Sequence, residues 1–243
     1  MSAYKSLDKE QKVNNKNLLF NFILESGINY IVGDSGIGKT LLSYYITIYL
    51  LQLGYYVVYI DINNPSSMPH HRGLDKKVLE LNKRDSIKYF NFDDLFKAIE
   101  KNIVKDIEDF VLTLINSTEY YKQQNPDKRI IVILDTFQDL TRSMDSKKNI
   151  NVFLDKFKNH TKLDITYIIL HYAPRTNINR LKGFADADMV YLIQSSKKEF
   201  HVGITDFIMK AEKKCCRASN RFQIQILDNY EVKFNLHNFL RYR

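Results

Sequence analysis

The sequence predicts an α/β fold with a mostly parallel central sheet, flanked by helices and followed by antiparallel strands at the C-terminal end. Three observations predict it. Short apolar runs that read as strands alternate with stretches that read as helices. The runs at 130–134 and 165–170 are unbroken apolar segments, of the kind buried on both faces of a parallel sheet. The earliest strand feeds straight into a glycine-rich turn that opens a helix.

Taken in order, residues 28–32 form a strand and residues 41–53 a helix, closed by Gly54 at the position where a left-handed residue ends helices. Residues 55–60, rich in Tyr and Val, form a second strand that ends at Asp61 and the turn Asn63-Asn64-Pro65. A third strand is expected at 87–90. From Asp93 one continuous helix is expected through Ile115, because Leu95, Ile99, Ile103, Ile107, Phe110, Val111 and Leu114 recur at helical spacing. Asn125-Pro126-Asp127 breaks it before the strand at 130–134. A helix at 150–160, the strand at 165–170 and later strands at 189–193, 205–209, 221–227 and 231–234 follow. With no internal repeat and no linker, the expected layout is a polar arm at 1–20 and one domain at 21–243.

Composition narrows the class. At 243 residues, with 44% hydrophobic and 26% charged, the chain is globular rather than disordered, and large enough to bury a core without disulfides. The two cysteines, Cys215 and Cys216, are adjacent, a spacing that fits neither a zinc site nor a redox motif; free thiols and a cytoplasmic location are expected. No apolar segment follows a basic start, so no secretory signal is expected. Residues 40–60 carry no charge, yet they hold six tyrosines and divide at Gly54, which favours a helix and a strand over a membrane span.

Charge is uneven. Residues 1–140 carry 17 basic and 18 acidic side chains, and residues 141–243 carry 19 and 10. The whole basic excess of +8 therefore sits in the second part, clustered at 142–148, 175–182 and 210–221. Three clusters in loop-like segments point to a polyanionic partner.

Gly33-Asp34-Ser35-Gly36-Ile37-Gly38-Lys39-Thr40 is a complete Walker A motif, with Leu41 continuing into the helix. Small residues let backbone N–H groups turn inward around phosphate oxygens, and the helix N-terminus adds partial positive charge. Lys39 is expected to reach the β- and γ-phosphates, and the Thr40 hydroxyl to bind Mg²⁺. The apolar strand ending in Asp135 fits the Walker B partner, which holds Mg²⁺ through a water. ATP and Mg²⁺ are the expected cofactors.

Several segments narrow the branch: Tyr59-Ile60-Asp61-Ile62-Asn63-Asn64-Pro65 with His70-His71-Arg72, Leu134-Asp135-Thr136, Ile168-Ile169-Leu170-His171-Tyr172, and Ala185-Asp186-Ala187-Asp188. Over roughly residues 20–225 the chain resembles the RecA-like P-loop ATPases, and among them the RepA-like hexameric replicative helicases. The resemblance implies a RecA-like P-loop NTPase core and a homo-oligomer, with six subunits as the family number, acting on single-stranded DNA. It puts His171 where the family senses the γ-phosphate or bound DNA. It puts DNA-contacting loops at 141–151 and 172–184, with Lys147, Lys148, Arg175, Arg180 and Lys182 as their cations. It also makes Lys213, Lys214 and Arg217 candidates for a cation reaching the neighbouring subunit's nucleotide, without choosing among them. His70 and His71 read as a surface pair at a helix start rather than a metal site.

One departure bears on chemistry. Where the family usually carries a catalytic glutamate, this chain aligns Asn63, which can orient water but cannot accept a proton. Asp61 and Asp139 are the nearest alternative carboxylates. Two further readings follow: a non-hydrolysing ATP-binding regulatory or assembly module, favoured by Asn63, and a small-molecule kinase, for which Arg175 and Arg180 would have to form a lid.

Overall fold

A computed structural model describes residues 26–137, 147–172, 186–195, 204–214, 221–227 and 232–235. The arm at 1–20, Asp139, Arg175, Arg180, Lys182 and Arg217 lie outside them. The elements are β1 (Ile28–Gly33), α1 (Lys39–Gln52), β2 (Tyr56–Asp61), α2 (Met68–His71), α3 (Leu74–Glu80), β3 (Ile87–Phe90), α4 (Phe92–Glu100), α5 (Ile107–Gln124), β4 (Ile130–Asp135), α6 (Lys147–Thr161), β5 (Ile165–Tyr172), β6 (Met189–Ser195), β7 (Ile204–Lys214), β8 (Arg221–Leu227) and β9 (Val232–Asn235).

Strands β3-β2-β4-β5-β1-β6 pair in that order, all parallel. Beyond β6 the ladder continues through antiparallel pairings of β6 with β7, β7 with β8 and β8 with β9. Every residue of β1, β2 and β4 is buried, which is why these strands read as continuous apolar runs.

Alternation along each strand divides the core between two faces. Ile31, Val57, Tyr59, Ile131, Ile133, Ile168 and Leu170 pack against α1 and against Leu74 and Val78 of α3. Tyr30, Val58, Ile60, Val132, Leu134, Tyr167 and Ile169 pack against α4, α5 and α6 through Leu95, Phe110, Val111, Phe153 and Phe157. Helix α1 is uncharged after Lys39 because it is buried nearly all round, a sheet-covering helix and not a span. No helix among the described residues is long and apolar enough to cross a membrane.

One element differs from the sequence expectation. The helix expected from Asp93 through Ile115 is two helices, α4 and α5. Asn102 adopts a left-handed φ of 54°, and Asp106 caps α5 by accepting from the Asp109 N–H at 2.9 Å. An Asx cap inside a run of helical periodicity restarts the helix without disturbing the apolar spacing, so periodicity alone does not reveal the break. Asn91 caps α4 the same way in a capping box with Asp94.

Candidate nucleotide site

The carboxyl ends of β1, β2, β4 and β5 converge on the turn between β1 and α1. Three glycines shape that turn. A Cβ at Gly33 would lie 2.8 Å from Ile193 Cγ1 and 3.1 Å from the Ile193 carbonyl oxygen, so β6 can pack there only against glycine. Gly36 and Gly38 take φ of 73° and 96°, left-handed values that side chains rarely adopt. Asp34, Ser35 and Gly36 are exposed, and Ile37, Gly38, Thr40 and Leu41 are half-buried, leaving the turn open at its tip.

Lys39 is buried and folds back over this turn. Its Nζ donates to the Gly33 carbonyl at 3.0 Å and the Asp34 carbonyl at 2.8 Å, and lies 5.8 Å from the centre of the Tyr172 ring. Burial pushes its ammonium below the usual lysine range, opposed by Asp135 and Asp34.

Asp135 ends β4 and is likewise buried. Its Oδ2 accepts from the Tyr59 hydroxyl at 3.0 Å, and the Thr40 hydroxyl also bonds its carboxylate. Burial and then the neighbouring Asp61 push its carboxyl up to about 7, against the hydrogen bonds from Thr40 and Tyr59 and the charge of Lys39. Oδ1 is buried without a hydrogen-bond partner among the described residues. A buried, anionic, unpartnered oxygen beside a threonine hydroxyl is the donor set a hard divalent cation satisfies. Thr40 and Asp135 therefore fit Mg²⁺.

Asp61 lies directly across from Asp135 in the β2–β4 register. It is sealed from solvent and spoken for: Asn64 Nδ2 donates to both of its oxygens at 2.8 and 2.9 Å, the Asn64 and Asn63 N–H groups reach Oδ1 at 3.0 and 3.3 Å, and Tyr89 donates to Oδ2 at 2.7 Å. Burial raises its pKa and these bonds oppose the rise. Such a carboxylate has no free acceptor for a substrate water. Asn63 itself is exposed, and its Nδ2 donates to Thr136 Oγ1 at 3.1 Å, beside the Walker B carboxylate.

The two strand-end residues of β5 face opposite ways. His171 is buried with its ring near Tyr30 and Phe137, on the face away from α1, and its Nδ1 donates to the Tyr172 carbonyl at 2.6 Å. Tyr172, one residue on, meets Lys39. Lys147 and Lys148 begin α6, and Lys213 and Lys214 end β7. His70 and His71 end the short α2 and are exposed, at a helix end where a helix start was expected. No cluster of three metal-binding side chains occurs among the described residues.

Sequence reasoning missed the tyrosines. Tyr59, Tyr89 and Tyr44 form a buried cluster under the phosphate turn, with Tyr59 stacked on Tyr89 at 5.0 Å and Tyr44 5.4 Å from Tyr59. Their hydroxyls run from Asp135 through Tyr59 to Ser43, and from Asp61 through Tyr89 to Tyr44. The signal was available: a tyrosine within a core element must find a partner for its hydroxyl.

The sheet order and the glycine turn define a RecA-like P-loop fold. Solved structures with that likeness include the flagellar accessory protein FlaH from Methanocaldococcus jannaschii, at TM-score 0.62 and 16% identity, covering 90% of this chain and 95% of that one. A helicase ATPase domain follows at 0.59 and 14%, covering 85% and 84%. The KaiC-like protein PH0186 from Pyrococcus horikoshii OT3 matches at 0.57 and 14%, covering 88% and 91%. No family model and no curated sequence matches the chain.

Proposed function

We propose that the chain is an ATP-binding, RecA-like ATPase that works on nucleic acid as an oligomer, in the manner of the RepA-like helicases it resembles. The observation that carries the nucleotide reading is the junction of Thr40, Asp135 and Lys39 beneath a turn whose three glycines leave room for phosphate. The backbone N–H groups of the turn cradle phosphate oxygens, and Lys39 leaves the Gly33 and Asp34 carbonyls to bind the β- and γ-phosphates. Thr40 and Asp135 hold Mg²⁺, which when bound takes up charge developing on the phosphates. Asn63 orients a water by hydrogen bonding and takes no proton from it, so turnover is slow.

Nucleic-acid action rests on the basic excess of residues 141–243 and on the resemblance, with single-stranded DNA as the partner, a hexamer as the assembly and the cytoplasm as the setting. His171, buried away from Lys39, senses nucleotide through its strand rather than by touching phosphate. A second reading has a specific observation behind it. Asn63 carries no charge and Asp61 is saturated, which favours a chain that binds ATP as a conformational ligand. Steady-state ATP turnover with and without single-stranded DNA separates the two. Stimulated turnover supports the motor, and tight ATP binding with no turnover under either condition supports the binding module.

A further inference from the structure

We infer that Asp61 is a positioning residue, the clamp that holds the Asn63-Asn64 turn so that the Asn63 amide stands against Thr136 at the end of the Walker B strand. The inference rests on the proposal that Asn63 occupies the water-orienting position. It adds what keeps Asn63 there.

The geometry is unusually complete for a surface turn. Asn63 is exposed and Asn64 half-buried, so neither is fixed by packing. Asp61 behind them is inaccessible and delivers both oxygens upward into the turn, taking four hydrogen bonds from two residues: the two N–H groups and both reaches of the Asn64 amide. Its own position is set from below by Tyr89 at 2.7 Å, in turn bonded to Tyr44 of α1 at 3.0 Å. Hydrogen bonds to an ionised acceptor are about twice as strong as neutral ones. The turn is therefore tied to the helix that carries Lys39 and Thr40, and the Asn63 side chain, bonded to Thr136 at 3.1 Å, inherits that fixed geometry.

Asp61→Asn keeps the size of the clamp and removes two of its acceptor sites. Asn64→Ala releases it from the other side, and changes only a half-buried residue should the first variant fold poorly. Hydrogen–deuterium exchange on the full chain reads the clamp directly. Both variants should speed exchange at the Asn63 and Asn64 amides roughly tenfold or more, with the amides of residues 33–40 as an unchanged control. Activity is then read in an Asn63→Glu background, in the assembled protein with Mg-ATP and single-stranded DNA. Adding Asn64→Ala should lower kcat at least tenfold while KM and the affinity for a fluorescent ATP analogue stay within twofold, a split that general loss of structure does not produce. Unchanged exchange at Asn63 and Asn64 overturns the inference whatever turnover does. Faster exchange with kcat untouched overturns it too, since the turn would be held without consequence. A silent Asn63→Glu parent counts against the water-orienting role of Asn63 instead, and the exchange result alone then decides the clamp.

Discussion

The Tyr59 hydroxyl donates to one oxygen of Asp135, Oδ2 at 3.0 Å, and the other oxygen of that buried carboxylate has no hydrogen-bond partner among the described residues. Tyr59 thus decides which oxygen is left for a cation. Tyr59→Phe keeps the ring stacked on Tyr89 and removes only the donor. The carboxylate can then turn, and the Mg²⁺-dependent part of ATP affinity should fall roughly tenfold, the worth of a hydrogen bond to a charged group. Titrations with and without Mg²⁺ check it; equal losses in both would show that Tyr59 acts on the turn and not on the cation.

Lys39→Ala removes the buried cation that rests on the Gly33 and Asp34 carbonyls. No other described side chain bonds both. ATP affinity should drop at least tenfold, about 1.4 kcal/mol, measured by equilibrium binding of a fluorescent ATP analogue. Unchanged affinity would end the phosphate-site assignment.

His160 gives a pH dependence remote from the nucleotide. It is buried, with Nε2 3.0 Å from Glu119 and Nδ1 2.8 Å from the Tyr167 hydroxyl. An ionised Glu119 only accepts, so in the neutral ring Nε2 donates and Nδ1 accepts from Tyr167. Burial pushes the imidazole below 6.5, with Glu119 opposing. The unfolded chain then binds a proton at a pH where the folded chain resists it, so stability is lost as pH falls from about 6.5 toward the folded value. Glu119, held low chiefly by His160 and then Lys156, loses its contribution only below the usual glutamate range, outside this window. Thermal melts at pH 5.5 and 7.5 should differ by several degrees in the wild type and by less in His160→Gln, with about 1 kcal/mol moving Tm by roughly 2–4 °C.

Binding to single-stranded DNA should be electrostatic and confined to the second part of the chain. Affinity should fall steeply with salt, because each neutralised phosphate releases counterions. Charge reversal at Lys147, Lys148, Arg175, Arg180 and Lys182 should weaken it, and reversal at Lys76, Lys77, Lys101 and Lys105 should do little, though Lys77 also loses its exposed pair with Glu80. Equal effects from the two sets would mean a general attraction.

What the sequence disclosed follows from how local each signal is. The glycine turn and the apolar strands were legible because backbone sterics and burial on both faces leave direct marks on composition: Gly33 is fixed by Ile193, and β4 is apolar until its terminal Asp135. The break between α4 and α5 was not, because Asp106 restarts the helix in phase with its apolar stripe. Nor was the facing of His171 and Tyr172 legible, since two adjacent polar strand-end residues carry no mark of which points toward α1. The tie between Asp61 and Tyr89 joins residues 28 positions apart, across a register that only the sheet supplies.

Asn63 carries the last prediction. Its amide is exposed and 3.1 Å from the Thr136 hydroxyl, so a glutamate one methylene longer can be seated there without disturbing the core. The wild type should bind ATP well and turn it over slowly or not at all, since asparagine accepts no proton and Asp61 has none of its acceptors to spare. Asn63→Glu should raise turnover, because a positioned general base contributes about 10²–10⁴-fold. The gain depends on neighbouring subunits completing the site, so the assay belongs on the assembled oligomer with single-stranded DNA. Brisk hydrolysis by the wild type would assign the base to another carboxylate, and Asp139 is the one to mutate, given how completely Asp61 is bonded. A dead Asn63→Glu variant in a well-formed oligomer would show that more than one catalytic group has been lost, and the chain would then be read as an ATP-binding regulator.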